Sequence, residues 1–422
     1  MKWNCFTSEI GNLSWLFLLL AVFFSPLRCY GLFTIGAFTG SLFKIFALLM
    51  IVTAFVCYLN KIICDFTVGI TLAIIGLDLF AFAQSSSLGL FPSYFVSHIV
   101  FLFGYIVIQN SSKNGLSLVK AYVYGSIIPG VLGLFQWISV MRGRGVPELP
   151  LKRFVTTVGK DDIFLYGNYR VVGTLQDPSY YGLFMASVFV LCVGLIISGK
   201  IQKKIFEKVV FTLIMFMSLL CVFTSGSVSS MIAAVSGLAI LLYSYRADFS
   251  AIAKYIFFTI VVSIGVFMLM YVFFNYNPID VLLFKLKYQG AENASAGALY
   301  GRGHFFQDAI NDFWESPIWG VGFGNMTRSS GHNSYLTILA LQGFLGFILH
   351  AFLLVVYPTI QYIKINFLSV ENNLLVICYA TLVGMAIQVG GYDCLYKMDP
   401  TVVILLLFYS TMKNCPAIKL IK

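Results

Sequence analysis

Residues 301–346 read GRGHFFQDAINDFWESPIWGVGFGNMTRSSGHNSYLTILALQGFLG, and their polarity matches neither neighbour. The stretch holds Arg302 and Arg328, His304 and His332, the carboxylates of Asp308, Asp312 and Glu315, and a dense set of glycines. Apolar runs lie on both sides of it. It reads as an extramembrane loop that re-enters lipid at His332-Asn333-Ser334, with the rest of the chain as the scaffold that holds it over a bilayer.

The composition agrees. Hydrophobic residues make up 59% of the 422 and charged residues 10%, against roughly 45–50% and about 25% in soluble domains. Such a chain is an all-α polytopic membrane protein, a single integral membrane domain over residues 1–422. The nine cysteines fall mostly inside apolar runs and form no CxxC or Cys/His metal spacing, so they read as small packing residues. A net charge of +10 raises the question of nucleic acid. The basic residues are scattered between apolar runs, however, so no nucleic-acid partner is expected.

About twelve transmembrane helices are expected, near 12–27, 42–59, 66–83, 92–109, 118–139, 180–198, 208–224, 229–245, 255–274, 335–362, 373–392 and 400–413. With the N-terminus inside, the cytoplasmic side receives Lys2, Lys61, Lys113, Lys120, Lys200, Lys203, Lys204, Lys208, Arg246, Lys254, Lys364, Lys413, Lys419 and Lys422. The short outer connections hold Arg28, Lys44 and Lys397 alone. Positive residues concentrate on the cytoplasmic side of short loops, so both termini are placed in the cytoplasm. The first span resembles a signal peptide but no A-x-A-like site follows it, and it is expected to be retained.

Two connections break the short-loop pattern, and both fall outside: residues 140–179 and residues 275–334. The first carries Arg142, Arg144, Lys152, Arg153, Lys160 and Arg170. Long loops escape the positive-inside bias, so their charges reflect what the loops do. Polar chemistry in outer loops, rather than at a midplane, points to work at the outer membrane–water boundary. Within the second loop, residues 303–315 read as an amphipathic helix, with Phe305, Phe306, Ala309, Ile310, Phe313 and Trp314 on one face. Gln307, Asp308, Asn311, Asp312 and Glu315 fill the face expected to be wet. Pro317 stops the helix. Gly320-Val321-Gly322-Phe323-Gly324 has no strand before it and is not a dinucleotide fingerprint. It reads as a compact turn that lets backbone pass close to a ligand or another helix.

Arg170 followed by Gly173 and Asp177-Pro178, then Gly301-Arg302, Pro317 with Gly320-x-Gly322, His332-Asn333 with Tyr335-Leu336, and Gly343-x-x-Gly346 form an ordered pattern. In this the chain resembles the O-antigen polymerase and O-antigen ligase family of polytopic membrane glycosyltransferases. The resemblance extends to a dozen spans with large periplasmic loops, and it implies a GT-C-like architecture. The chain departs from the family between spans seven and eight. There the family often has Thr-x-Ser-Arg, and this chain reads Thr224-Ser225-Gly226-Ser227-Val228 without the arginine.

The resemblance implies transfer of a glycan from an undecaprenyl pyrophosphate donor to an acceptor hydroxyl. Arg170 and Arg302 then face the pyrophosphate, because guanidinium forks bind phosphate oxygens bidentately. Arg328 either assists or is a solvated loop cation. His332 is the first candidate for the acceptor side, with Ser334 as expected N-cap of the following helix. The positive helix end disfavours imidazolium and leaves a ring that either accepts the hydroxyl proton or positions the acceptor. Asn333, Asp177 and Tyr335 complete the expected substrate-binding set, and Glu292 is an alternative base. His304 has a weaker claim. Asp78, His98 and His350 lie inside spans, where ionisable groups mark functional sites; a buried interhelical hydrogen bond is the preferred reading. No Asp-x-Asp pair occurs, and neither cofactor nor metal is expected.

The leading reading is a polymerase joining lipid-linked repeat units into an O-antigen, capsule or exopolysaccharide at the bacterial inner membrane. Its partners would be the undecaprenyl-linked donor and acceptor, membrane lipid, a chain-length regulator and a flippase. The alternative is an O-antigen ligase that moves finished polymer onto lipid A core. A flippase fits less well, because no internal repeat places basic residues in a central cavity.

The topology is testable directly. Cysteine introduced at Gly159 or Ala296 is expected to react with a membrane-impermeant maleimide in whole cells, after permeabilisation of any outer membrane. Labelling only after lysis would reverse the orientation.

Overall fold

The computed structural model describes residues 2–27, 29–35, 38–58, 65–149, 164–165, 168–200, 205–245, 300–328, 331–367, 373–393, 395–396 and 399–412, with isolated positions between 261 and 272. Helices dominate. In chain order they are α1 (Lys2–Phe24), α2 (Leu42–Tyr58), α3 (Phe66–Ala83), α4 (Phe91–Asn110), α5 (Gly115–Gly125), α6 (Ile127–Met141), α7 (Pro178–Ile197), α8 (Ile205–Thr224), α9 (Val228–Ser244), α10 (Tyr300–Glu315), α11 (Ser334–Ala351), α12 (Tyr357–Phe367), α13 (Asn373–Gly391) and α14 (Asp399–Met412). Two short antiparallel hairpins, β1–β2 (Gly31–Ile35, Phe38–Ser41) and β3–β4 (Phe164–Leu165, Asn168–Tyr169), lie in the connections.

Eight described apolar stretches are long enough to cross a membrane. Three shorter apolar helices, α2, α9 and α14, coincide with further expected spans. The span expected over 255–274 falls outside the described residues apart from isolated helical positions. α14 differs from expectation: it has 14 residues, all of them buried. At 1.5 Å per residue it reaches about 21 Å, and it is a core helix rather than a lipid-facing one.

The core forms around α7, buried along almost its whole length and packed by α8, α9 and α13. Lipid tails are as apolar as Leu, so these helices associate through close packing rather than by escaping solvent. Small residues permit it. A Cβ at Gly182 would lie 2.4 Å from Ser230 Oγ, and one at Gly194 would lie 2.7 Å from Ile377. The expected span 118–139 is two helices, broken at Ser126, whose hydroxyl donates to Val123 O at 2.6 Å. The backbone of α1 approaches there so closely that a Cβ on Gly125 would sit 2.2 Å from Phe23 O.

The expected span 335–362 is also interrupted. Gly343 leaves helical geometry, with φ 63° and ψ −163°, and the glycine-rich turn enters the gap. Val321 N donates to Ala340 O at 2.8 Å and Gly322 N to Leu341 O at 3.1 Å. In return Phe344 N donates to Pro317 O at 2.8 Å. Below the break α11 runs into a π-helical turn, Phe352–Val356, and then α12. The far side of the same glycine segment rests on the turn after α3, where Asn325 Nδ2 donates to Gln84 O and Ser86 N to Asn325 Oδ1.

The glycines at this junction are therefore not replaceable. A Cβ on Gly320 (φ 77°) would lie 2.3 Å from Gln342 N, and one on Gly343 would lie 2.3 Å from Ile318 O. Gly320→Ala and Gly343→Ala are each expected to lose at least ~1–3 kcal/mol from backbone strain alone. Gly303→Ala, on α10 with nothing near its Cβ, should be neutral or stabilising by up to ~1 kcal/mol. Thermal unfolding of the three purified variants in one detergent measures the contrast.

Candidate functional site

Arg170 follows directly on β4. Its neighbour's amide, Val171 N, donates to Thr224 O at 3.1 Å, which ties the strand end to the last turn of α8. The guanidinium Nε of Arg170 donates to Ser225 O at 3.2 Å. Gly226 adopts φ 56°, and a Cβ there would stand 3.4 Å from Arg170 Cγ. The turn Ser225–Gly226 thus seats Arg170. Three residues on, Gly173 is locked by the Gln136 side chain, which accepts from Gly173 N at 3.0 Å and donates to Gly173 O at 3.2 Å.

Asp177 is the N-cap of α7, accepting from Ser179 N at 2.6 Å. Its second oxygen accepts the Tyr392 hydroxyl at 2.9 Å. Tyr392 follows α13, and its ring lies 5.8 Å from that of His332. The Phe305 ring of α10 stands edge-on to His332 at 4.2 Å. In this way α7, α10, α13 and the start of α11 meet at one polar end of the bundle. The start of α9 joins the same end: Gln388 Nε2 donates to Ser179 O at 2.9 Å and to Ser230 Oγ at 2.8 Å.

His332 has φ 47°, a left-handed conformation. For a residue with a Cβ this costs about 1–2 kcal/mol, and such strain persists where the surroundings over-determine it. The surroundings do so here. The expected cap Ser334 is replaced by Asn333, whose Oδ1 accepts from Tyr335 N at 2.9 Å and Leu336 N at 3.2 Å. Its Nδ2 donates to Gly390 O at 2.6 Å. Ser334 is drawn inward instead: its hydroxyl donates to Tyr392 O and accepts from Leu395 N. With both of these side chains committed, His332 absorbs the turn.

Asp312 is a second departure from expectation. It lies 2% exposed, on the packed side of α10. The reason is the connection from α10 to α11, which folds over the helix and supplies donors: Thr327 N at 3.1 Å and Thr327 Oγ1 at 2.6 Å. Asp308 is engaged too, by Arg328, whose guanidinium also stands 4.8 Å over the Phe305 ring. Trp314 stays 69% exposed.

Of the expected site residues, the structure gathers His332, Asn333, Asp177 and Tyr335 around Tyr392 and the end of α13, with Arg170 at the adjoining α8–α9 turn. Asp177, Asn333 and Tyr335 (hydroxyl to Ala386 O, 2.7 Å) each hold an internal partner and frame the site. Arg328 is tied to α10 through Asp308. Arg302 lies in the first turn of α10, and its side chain falls outside the described residues, as does Glu292. Tyr392 and Asp393 escaped the sequence reading because the span expected over 373–392 took in Tyr392, although Tyr392-Asp393 puts two polar side chains at its end. Among the described residues no group of three or more His, Cys, Asp or Glu is placed to hold a metal ion.

Comparison with known proteins gives one family. Residues 213–351, from within α8 to the end of α11, match the sequence model of a family described as O-antigen ligase. No curated protein matches the chain.

Replacing His332 separates backbone from ring. His332→Gly and His332→Ala both remove the imidazole, but only glycine relieves the left-handed strain. The glycine variant is expected to exceed the alanine variant in stability by about 1 kcal/mol. Equal unfolding midpoints would show that the turn carries no strain.

Proposed function

From the premise that residues 213–351 are an O-antigen ligase family domain, we propose that this protein is a glycosyltransferase of the membrane boundary. It moves a glycan from a polyprenyl pyrophosphate donor to an acceptor hydroxyl. Supporting this reading is the link Asp177–Tyr392–His332, which joins the start of α7 to the turn that bears His332 and opens α11, with Arg170 on the segment leading into α7. In the reaction the acceptor oxygen attacks the anomeric carbon, the carbon–oxygen bond to pyrophosphate breaks, and the lipid pyrophosphate leaves with the electron pair. The hydroxyl proton passes to a ring nitrogen of His332. Arg170 and Arg302 offset charge on the leaving group, and the strained turn holds the imidazole at a fixed depth.

Of the two acceptors expected, the family's description favours lipid A core over another repeat unit, and so an O-antigen ligase over a polymerase. The reading carries the finer topology with it: twelve spans in a GT-C-like arrangement, both termini cytoplasmic, in a bacterial inner membrane. The undecaprenyl-linked polymer is then the donor, delivered by a flippase. A chain-length regulator acts upstream.

Deletion of the gene followed by electrophoresis of surface polysaccharide separates the two. Bare core with polymer left on the undecaprenyl carrier is expected; cores bearing a single repeat unit would return the polymerase reading. In the purified enzyme, Arg170→Lys and Arg302→Lys should each lose about 30- to 1000-fold in rate, or roughly 2–4 kcal/mol, because an ammonium lacks the planar fork. Near-wild-type transfer by either lysine variant would remove that arginine from the phosphate site.

A further inference from the structure

Away from the outer site, α3, α4 and α11 bring three ionisable side chains together. Asp78, His98 and His350 are 0%, 1% and 2% exposed. Asp78 Oδ2 lies 2.6 Å from His98 Nδ1, His98 Nε2 lies 3.3 Å from His350 Nε2, and His350 Nδ1 lies 2.7 Å from Gly346 O. Asp78 Oδ1 accepts from Gln342 Nε2 at 2.6 Å. The rings of Tyr94 and Tyr396 pack on His98, and Tyr396 also packs on His350. Tyr396 also borders a cavity of about 380 Å³, lined by Lys44, Ser93, Ser97 and Asp399 among apolar groups.

Hydrogen balance fixes what this cluster is. A carbonyl oxygen only accepts, so His350 Nδ1 carries a hydrogen toward Gly346. The gap between the two Nε2 atoms needs one hydrogen, and the gap between His98 and Asp78 needs another. Three contacts therefore require three hydrogens. Two neutral imidazoles bring two, and an ionised Asp78 brings none. The third is an additional proton, and with it the group is electroneutral. Without it, one gap sets two lone pairs against each other and the buried group has a net negative charge, which a bilayer interior disfavours.

We infer that Asp78, His98 and His350 form an intramembrane proton-binding site that fastens both halves of the broken α11 to α3 and α4. Gln342 and His350 lie on opposite sides of the Gly343 break, so the proton-loaded cluster fixes the gap that residues 317–322 occupy. Release of the proton loosens that fastening. The site is independent of the glycan-transfer reading.

Asp78→Asn tests it, because the amide reproduces the loaded pattern without a proton. The nitrogen of the introduced amide donates to His98 Nδ1, and its oxygen accepts from Gln342. The full-length protein in nanodiscs is followed by hydrogen–deuterium exchange of peptides covering 317–345, at a series of pH values from about 6 to about 9. Exchange corrected for its intrinsic pH dependence should rise about tenfold or more in the wild type and stay flat in Asp78→Asn. Identical slopes in the two proteins would overturn the inference. Should the variant fail to fold, ¹⁵N-histidine NMR of the wild type decides. His98 and His350, assigned by His98→Gln and His350→Gln, should change together as one proton leaves, and two rings unchanged up to about pH 10 would refute the site.

Discussion

Four backbone hydrogen bonds between residues 317–322 and the interrupted α11 govern the arrangement of the end of the bundle that carries the candidate site. In a lipid-embedded segment a helix cannot simply open, since each unsatisfied N–H or C=O costs several kcal/mol. Here the freed carbonyls of Ala340 and Leu341 receive Val321 N and Gly322 N, while Phe344 N and Leu345 N find Pro317 O and Ile318 O. The loop is thereby held in register with the membrane helix. Because α10 ends two residues before Pro317, its position follows from the same contacts. Glycine at 320 and 343 is a steric condition of that fit.

With the loop pinned, this polar end of the bundle becomes a set of shared caps. The amides that open α7 and α11 are met by Asp177 and Asn333, and each of these residues also reaches α13 or the residues after it. A cap used only for its own helix would leave that helix free to slide. Doubly used caps tie three helix ends together, and His332 occupies the one backbone conformation that closes the turn between loop and helix. The strain at His332 is thus offset by the hydrogen bonds of Asn333 and Ser334 beside it and by the packing of its ring against Phe305 and Tyr392.

Much of this was legible in the residues. Apolar runs placed the helices, and the spacing of Phe305, Ala309 and Phe313 placed α10. Pro317 marked its end, and the glycines of 320–324 announced close backbone approach. The interruption at Gly343 was not legible, because Gly343-x-x-Gly346 lies within an apolar run whose helical pattern continues on both sides of it. Asp312 was misplaced for a related reason. Periodicity assigns a carboxylate to water unless something supplies donors, and Thr327 belongs to a loop with no periodic signal. The cap passed from Ser334 to Asn333 because Ser334 has a long-range partner in residues 392–395, invisible to local rules.

α11 also explains how two polar layers coexist in so apolar a chain. Its first half begins at the candidate site with Asn333 and Ser334; on either side of the break Gln342 and His350 engage Asp78 and His98. Gln342 and His350 stand on either side of Gly343, so the Asp78–His98–His350 chain of contacts runs alongside the very stretch that the break weakens. A continuous helix would need no such brace, since its own hydrogen bonds would hold it. An interrupted one in lipid needs lateral attachment on both sides of the gap, or the halves would tilt independently and the inserted loop would lose its register. The buried polar cluster and the glycine-rich loop therefore address one mechanical problem, each through its own contacts with α11.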